Sequence, residues 1–179
     1  MLFRSQVAWE AALELPQRVR QLVLVDAIGY PLQPTTVPLA FTLARSPVSR
    51  WMLEYGLPRG LVQASLRNVY GDPSKVTPEL VDRYYDMALR SGNRRALGYR
   101  MDAGLGADAA RIGTLALPVL VMWGGRDQLI PLQFGQRFAR DIAGARLVVF
   151  EDLGHLPQQE DPLRTVTELQ KFLGSRAPN

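Results

Sequence analysis

The sequence of 179 residues has no cysteine and one histidine, His155. Without thiols there is no disulfide framework and no thiolate chemistry, which leaves the compartment open with a lean to the cytoplasm. One imidazole cannot build a histidine-rich metal site, and neither metal-ligand spacing nor a glycine-rich phosphate loop accompanies it. No metal and no cofactor are expected. No apolar run approaches the ~20 residues that a membrane-spanning helix needs. The start, Met1-Leu2-Phe3-Arg4-Ser5, lacks the long apolar stretch of a signal peptide. Lysine occurs only at Lys75 and Lys171, so arginine carries nearly all of the 21 basic residues behind the net charge of +4. The tightest basic cluster, Arg90, Arg94, Arg95 and Arg100, comes with no nucleic-acid-binding motif. It is read as a solvated helix face, and no nucleic-acid partner is expected.

What is present is an ordinary globular balance, with 47% hydrophobic and 21% charged residues, enough for one domain with an insertion. Val7, Ala8, Ala11, Ala12 and Leu15 recur at helical spacing, and Pro16 ends the run. Leu22-Val23-Leu24-Val25 is a continuous apolar strand, the pattern of a parallel strand covered on both faces. Residues 31–105 differ in texture. Prolines 31, 34, 38, 47, 58, 73 and 78 punctuate short amphipathic helices, and no strand pattern appears. Thr77-Pro78-Glu79 starts one such helix, with Thr77 as N-cap and Leu80, Val81, Tyr84 and Ala88 as its stripe.

Strand and helix alternate again from about residue 106. Val119 to Trp123 is a strand. Pro131 opens a helix with Phe134, Phe138 and Ile142 on one face, and Arg146 to Phe150 is the next strand. Asp161-Pro162 begins a last helix with a stripe of Leu163, Val166, Leu169 and Leu173, ended by Gly174. The expected architecture is α/β: a parallel sheet with flanking helices built from 1–30 and 106–179, and a helical insertion at 31–105.

Loops at the carboxyl ends of parallel strands converge on one edge and build the site. Asp26, Asp127 and His155 all follow strands, and Asp127 stands 28 residues before His155. An imidazole titrates near neutrality and serves as a general base, while a carboxylate on its other nitrogen fixes the tautomer. Asp127 and His155 are therefore the candidate catalytic pair. An aspartate after Gly124-Gly125 also suits turn capping. Asp26 is read first as a turn cap or pocket residue and is the reserve candidate for the acid. Gly154 is expected to give the histidine loop a tight conformation. Trp51, Tyr55, Tyr84, Tyr85 and Tyr99 either line an apolar cavity or form the core of the insertion.

These pieces resemble the α/β-hydrolase superfamily in its carboxylesterase, lipase-like and C–C hydrolase branch. The resemblance is carried by Leu22 to Ala27, by Pro118 to Asp127, by Ile130-Pro131, and by Gly154-His155-Leu156-Pro157 with Glu160-Asp161-Pro162. It covers nearly the whole chain from about Val7. It implies that Asp127 is the catalytic acid, His155 the base, and the insertion a cap or lid. The substrate it implies is a small apolar ester or a related acyl or C–C compound.

The N-terminus departs from the pattern. No Gly-x-Ser-x-Gly occurs. Alignment on Ala8 and Trp9 puts the nucleophile at Leu2, which has no nucleophilic atom, and puts two glycines at Arg4 and Ser5. Ser5 falls on the helix, three residues late. The expectation is an N-terminally truncated hydrolase that is inactive alone and able to self-associate through an exposed sheet edge. The alternative is a non-catalytic module that binds an apolar small molecule.

Overall fold

A computed structural model of the chain describes residues 4–31, 56–102 and 108–175. Leu2, Trp51 and Tyr55 lie outside the described residues. In chain order the helices are α1 (Arg4–Glu14), α2 (Arg59–Val69), α3 (Pro78–Leu89), α4 (Asn93–Asp102), α5 (Leu132–Asp141), α6 (Pro157–Glu160) and α7 (Pro162–Gly174). The strands are β1 (Leu22–Val25), β2 (Val119–Gly124) and β3 (Arg146–Phe150).

The three strands are parallel and ordered β1-β2-β3, with Leu22 opposite Val119 and Leu120 opposite Arg146. The central strand β2 is buried along its whole length. Its side chains divide between two cores, as period-two alternation requires. Val121 and Trp123 pack with Trp9, Leu24, Phe138 and Ile142 on the α1 and α5 side. Leu120 and Met122 pack with Phe150, Leu153 and Phe172 on the α7 side. This double cover is why the strand sequences read as continuous apolar runs rather than alternating ones.

Residues 56–102 contain helices and no strand among the described positions. Leu66, Tyr70, Val76 and Val81 form their own small core, which Leu156 joins from the segment after β3. The start of α3 follows its sequence signature: Pro78 opens it and the Thr77 hydroxyl accepts the Leu80 N–H at 3.2 Å. The boundary positions of the expected insertion, 31–105, fall next to or within undescribed stretches.

Two helix faces differ from the sequence expectation. On α1 the buried residues are Gln6, Trp9 and Ala12; of the expected stripe Ala8 and Ala11 are half-buried, whereas Val7, and Leu15 just past the helix end, are exposed. The indole decides the rotation, because Trp9 buries the largest surface and its Nε1 donates to the Ile28 carbonyl at 3.0 Å. On α7 the buried residues are Thr165 and Phe172, while Leu163, Val166 and Leu173 are exposed. Phe172 seats that helix on β2 and β3, so Leu163, Val166 and Leu173 of the expected stripe turn outward while Leu169 is half-buried. Its end also falls one residue late, with Gly174 inside α7 and Ser175 at the C-cap.

Candidate active site

Parallel strands bring their C-terminal ends to one edge, and each strand delivers one polar side chain there. Asp26 follows β1, Asp127 lies three residues past β2, and His155 lies five residues past β3. All three are buried. An oxygen of each aspartate and a ring nitrogen of His155 lie within 4.8 Å of one another.

Asp127 is held from both sides. Its Oδ1 accepts the backbone N–H groups of Leu129 at 2.8 Å and Ile130 at 3.0 Å. Its Oδ2 stands 2.7 Å from His155 Nδ1. The turn-capping role and the contact with histidine thus coexist, one per oxygen. A carboxylate only accepts, so Nδ1 carries the proton and donates. That tautomer leaves Nε2 with a lone pair, and no described residue hydrogen-bonds it. The ring is therefore set to take a proton from an incoming hydroxyl.

The spacing between the two groups is that of a direct hydrogen bond. A tetrahedral metal with bonds of about 2.0–2.1 Å would hold its two donor atoms roughly 3.3 Å apart.

The histidine loop is bolted to the helical segment. His155 N–H donates to the Val69 carbonyl at 2.7 Å. Glu160, at the end of α6, accepts Gly154 N–H on Oε1 at 2.8 Å and Gly71 N–H on Oε2 at 2.9 Å. The Glu160 carbonyl accepts Lys75 Nζ at 3.3 Å. Tyr70 and Tyr84 both donate to Gln159 Oε1, at 3.2 and 3.0 Å. Burial, then the neighbouring Tyr84, pushes the Tyr70 phenol up to about 12. On the far side, Arg164 of α7 grips both oxygens of Asp152 at 2.8 and 2.9 Å, and that bond holds the Asp152 carboxyl below its usual range.

Gly154 is needed for space and not for a left-handed turn. It is absent from the positive-φ residues, but a Cβ on it would collide with Gly71 N and Val69 O. A Cβ on Gly71 would stand 2.6 Å from Gly154 N. Two backbones meet here with nothing between them.

Asp26 is not the partner of the imidazole. It sits in the left-handed region at φ 42°, uncommon for a residue with a side chain. Its Oδ1 accepts Gly124 N–H at 2.9 Å, and its Oδ2 is buried with no hydrogen-bond partner among the described residues. Burial, then the charge of Asp127, pushes the Asp26 carboxyl well above the usual carboxylate range.

Of the other residues singled out by the sequence, Ser5 lies in α1 and its hydroxyl donates to the Val25 carbonyl at 3.3 Å. Tyr84 and Tyr85 are half-buried and Tyr99 is exposed. Arg90 and Arg95 are exposed, and the side chain of Arg100 lies outside the described set. A cleft of about 830 Å³ lies between α2 and the loop after β2, with Gln63, Arg67 and Asn68 on one wall and Arg126 and Gln128 on the other. Glu160 is the residue whose role the sequence did not show. It stood in a recognisable Glu-Asp-Pro string, but a string does not reveal which N–H groups a carboxylate will reach.

A parallel sheet covered on both faces, with an acid and an imidazole hydrogen-bonded across adjacent strand-end loops, defines an α/β-hydrolase fold. The sequence pattern of the Alpha/beta hydrolase family matches residues 5–169, and the chain belongs to that family. It is 28% identical over 179 residues to 2-hydroxymuconate semialdehyde hydrolase of Pseudomonas sp. (strain CF600), covering 96% of this chain and 59% of that protein. It is 25% identical over 166 residues to the uncharacterized hydrolase YugF of Bacillus subtilis (strain 168), covering 88% of this chain and 58% of that protein. The chain thus spans little more than half the length of these relatives. In fold it is similar to the meta-cleavage product hydrolase of Pseudomonas fluorescens IP01, with TM-score 0.80, 24% identity, and coverage of 97% of this chain and 62% of that one. It is likewise similar to a thermophilic esterase of Thermogutta terrifontis, with TM-score 0.75, 23% identity, and coverage of 97% and 62%. Among the described residues no helix is long and apolar enough to cross a membrane.

Proposed function

We propose that this chain carries the acid and the base of a Ser-Asp-His-type hydrolase acting on an ester or a related acyl or C–C bond. The observation that carries the reading is the 2.7 Å contact between Asp127 Oδ2 and His155 Nδ1, with Nε2 left open. His155 takes the proton of an attacking hydroxyl through Nε2. Asp127 holds the ring and stabilises the imidazolium that forms. The described residues place no nucleophile on Nε2, so the attacking group is assigned to a segment other than those described. The helical insertion, 31–105, serves as the cap, and its seam with the histidine loop through Glu160 and Gly71 supports that role.

Triad members act as a unit, so the 179 residues alone are expected to show no appreciable turnover. The full translation product of the gene is expected to hydrolyse a chromogenic short-chain ester or 2-hydroxymuconate semialdehyde, the compound named for the Pseudomonas relative. Failure of both substrates, together with saturable binding of an apolar ligand, would favour the alternative of a non-catalytic binding module. Ester turnover by the 179 residues that is abolished in His155→Ala would overturn the expected inactivity.

A further inference from the structure

Among the described residues, Asp26 is the one buried titratable group at the sheet edge that the proposed chemistry does not use. It is 3% exposed and lies on the same strand-end edge as Asp127 and His155. Three features of its surroundings are unusual together. The backbone holds it at φ 42°, so the side chain is aimed by a conformation that costs energy for a residue other than glycine. Gly124 N–H occupies Oδ1. Oδ2 meets no N–H or O–H donor among the described residues, although it is buried.

The neighbouring carboxylate supplies the missing logic. Asp127 has both lone pairs of Oδ1 engaged by Leu129 and Ile130 N–H groups, and one lone pair of Oδ2 engaged by His155. One lone pair of Oδ2 remains. Two buried carboxyl groups with oxygens within 4.8 Å of each other repel when both are ionised, which favours a proton on one of them. Asp127, with three donors, keeps the charge. Asp26, with one, takes the proton.

We propose that Asp26 is a positioning residue that stays protonated and donates a hydrogen bond from Oδ2–H to the Asp127 carboxylate. This rests on the reading of Asp127 and His155 as an acid–base pair. The consequence is a shared load. Part of the Asp127 charge is satisfied by Asp26 and is withdrawn from the imidazole that Asp127 also holds. The charges acting on Asp26 are those of Asp127 from the loop after β2 and Glu160 from α6, and His155 from the loop after β3 lies within 4.8 Å. From α1, the Ser5 hydroxyl donates to the carbonyl of Val25, the residue before Asp26.

The single histidine makes the test clean, because the ring resonances in an NMR titration of the 179-residue chain belong to His155 alone. Asp26→Asn keeps an acceptor for Gly124, a donor for Asp127 and tolerance of positive φ. It is expected to leave the titration midpoint unchanged. Asp26→Ala removes the donor and is expected to move the midpoint up. If Asp26 were ionised in the fold, Asp26→Asn would remove a negative charge and move the midpoint down, by roughly one unit or more. That result would overturn the proposal, as would midpoints unchanged in both variants.

Infrared spectroscopy gives a second reading if Asp26→Ala fails to fold. The wild type is expected to show a protonated-carboxyl stretch at neutral pH that Asp26→Asn removes, and its absence from the wild type would also overturn the proposal. Asp127→Asn separates this from failure of the underlying pair, since a midpoint indifferent to that change would mean that Asp127 and His155 are not coupled at all.

Discussion

Asp127 and His155 could be picked from the sequence because strand ends and spacing are local signals. Their contact is a fact of folding that the sequence only implies. The same holds for the two uses of Asp127, since turn capping and imidazole orientation were competing readings that turn out to need different oxygens. Asp127→Asn tests the second use. An amide presenting N–H toward Nδ1 forces the ring to the other tautomer, so the low-field ring-proton resonance of His155 in the wild type should vanish. In the full translation product, turnover should fall roughly 10³–10⁴-fold. Gly154 was legible as special but for the wrong reason. Its missing side chain makes room for Gly71 and Val69, a contact between segments more than eighty residues apart that no local pattern encodes. Gly154→Ala should therefore destabilise by about 1–3 kcal/mol, as overpacking does, measured by urea unfolding.

At the scale of elements, β1 and β3 run over the residues expected, and β2 extends one residue further, to Gly124. Continuous apolarity is a strong signal when both faces of a sheet are covered. The helices α1 and α7 were found but only partly oriented: Ala8, Ala12 and Leu169 face inward at least in part, while Val7, Leu163, Val166 and Leu173 do not. One large buried ring on each, Trp9 or Phe172, marks the face that turns inward. The seam between α2 and the histidine loop was not legible, because Glu160 joins backbone N–H groups from distant segments. Glu160→Gln turns one acceptor into a donor that faces an N–H. It should cost about 2 kcal/mol, the usual loss for buried hydrogen bonds to a charged group. Hydrogen exchange should rise together at Gly71 and Gly154 in that variant, and protection unchanged at both would contradict the seam.

For the molecule as a whole, the parallel sheet with helices on both faces was readable from alternation alone, and the family follows from residues 5–169. The proposed chemistry sits at one sheet edge, where by the inference above an uncharged carboxyl is buried beside a charged one. That arrangement leaves a mark on global stability. Asp26 is raised, so the folded state holds a proton that the unfolded chain has released above about pH 4. Its contribution therefore falls as pH rises, from the ordinary aspartate range up through its folded value. Urea unfolding of the wild type should show this decline as pH rises above the ordinary aspartate range, and Asp26→Asn should remove that part of the slope. A slope identical in the variant would mean that Asp26 is ionised or exposed.

The central claim is that His155, oriented by Asp127, is the base that activates a nucleophile. The rate of covalent labelling of the full translation product by a fluorophosphonate probe measures that activation without knowledge of the substrate. The account predicts labelling in the wild type and its loss, by 10³-fold or more, in His155→Ala. Labelling of His155→Ala at the wild-type rate would contradict it.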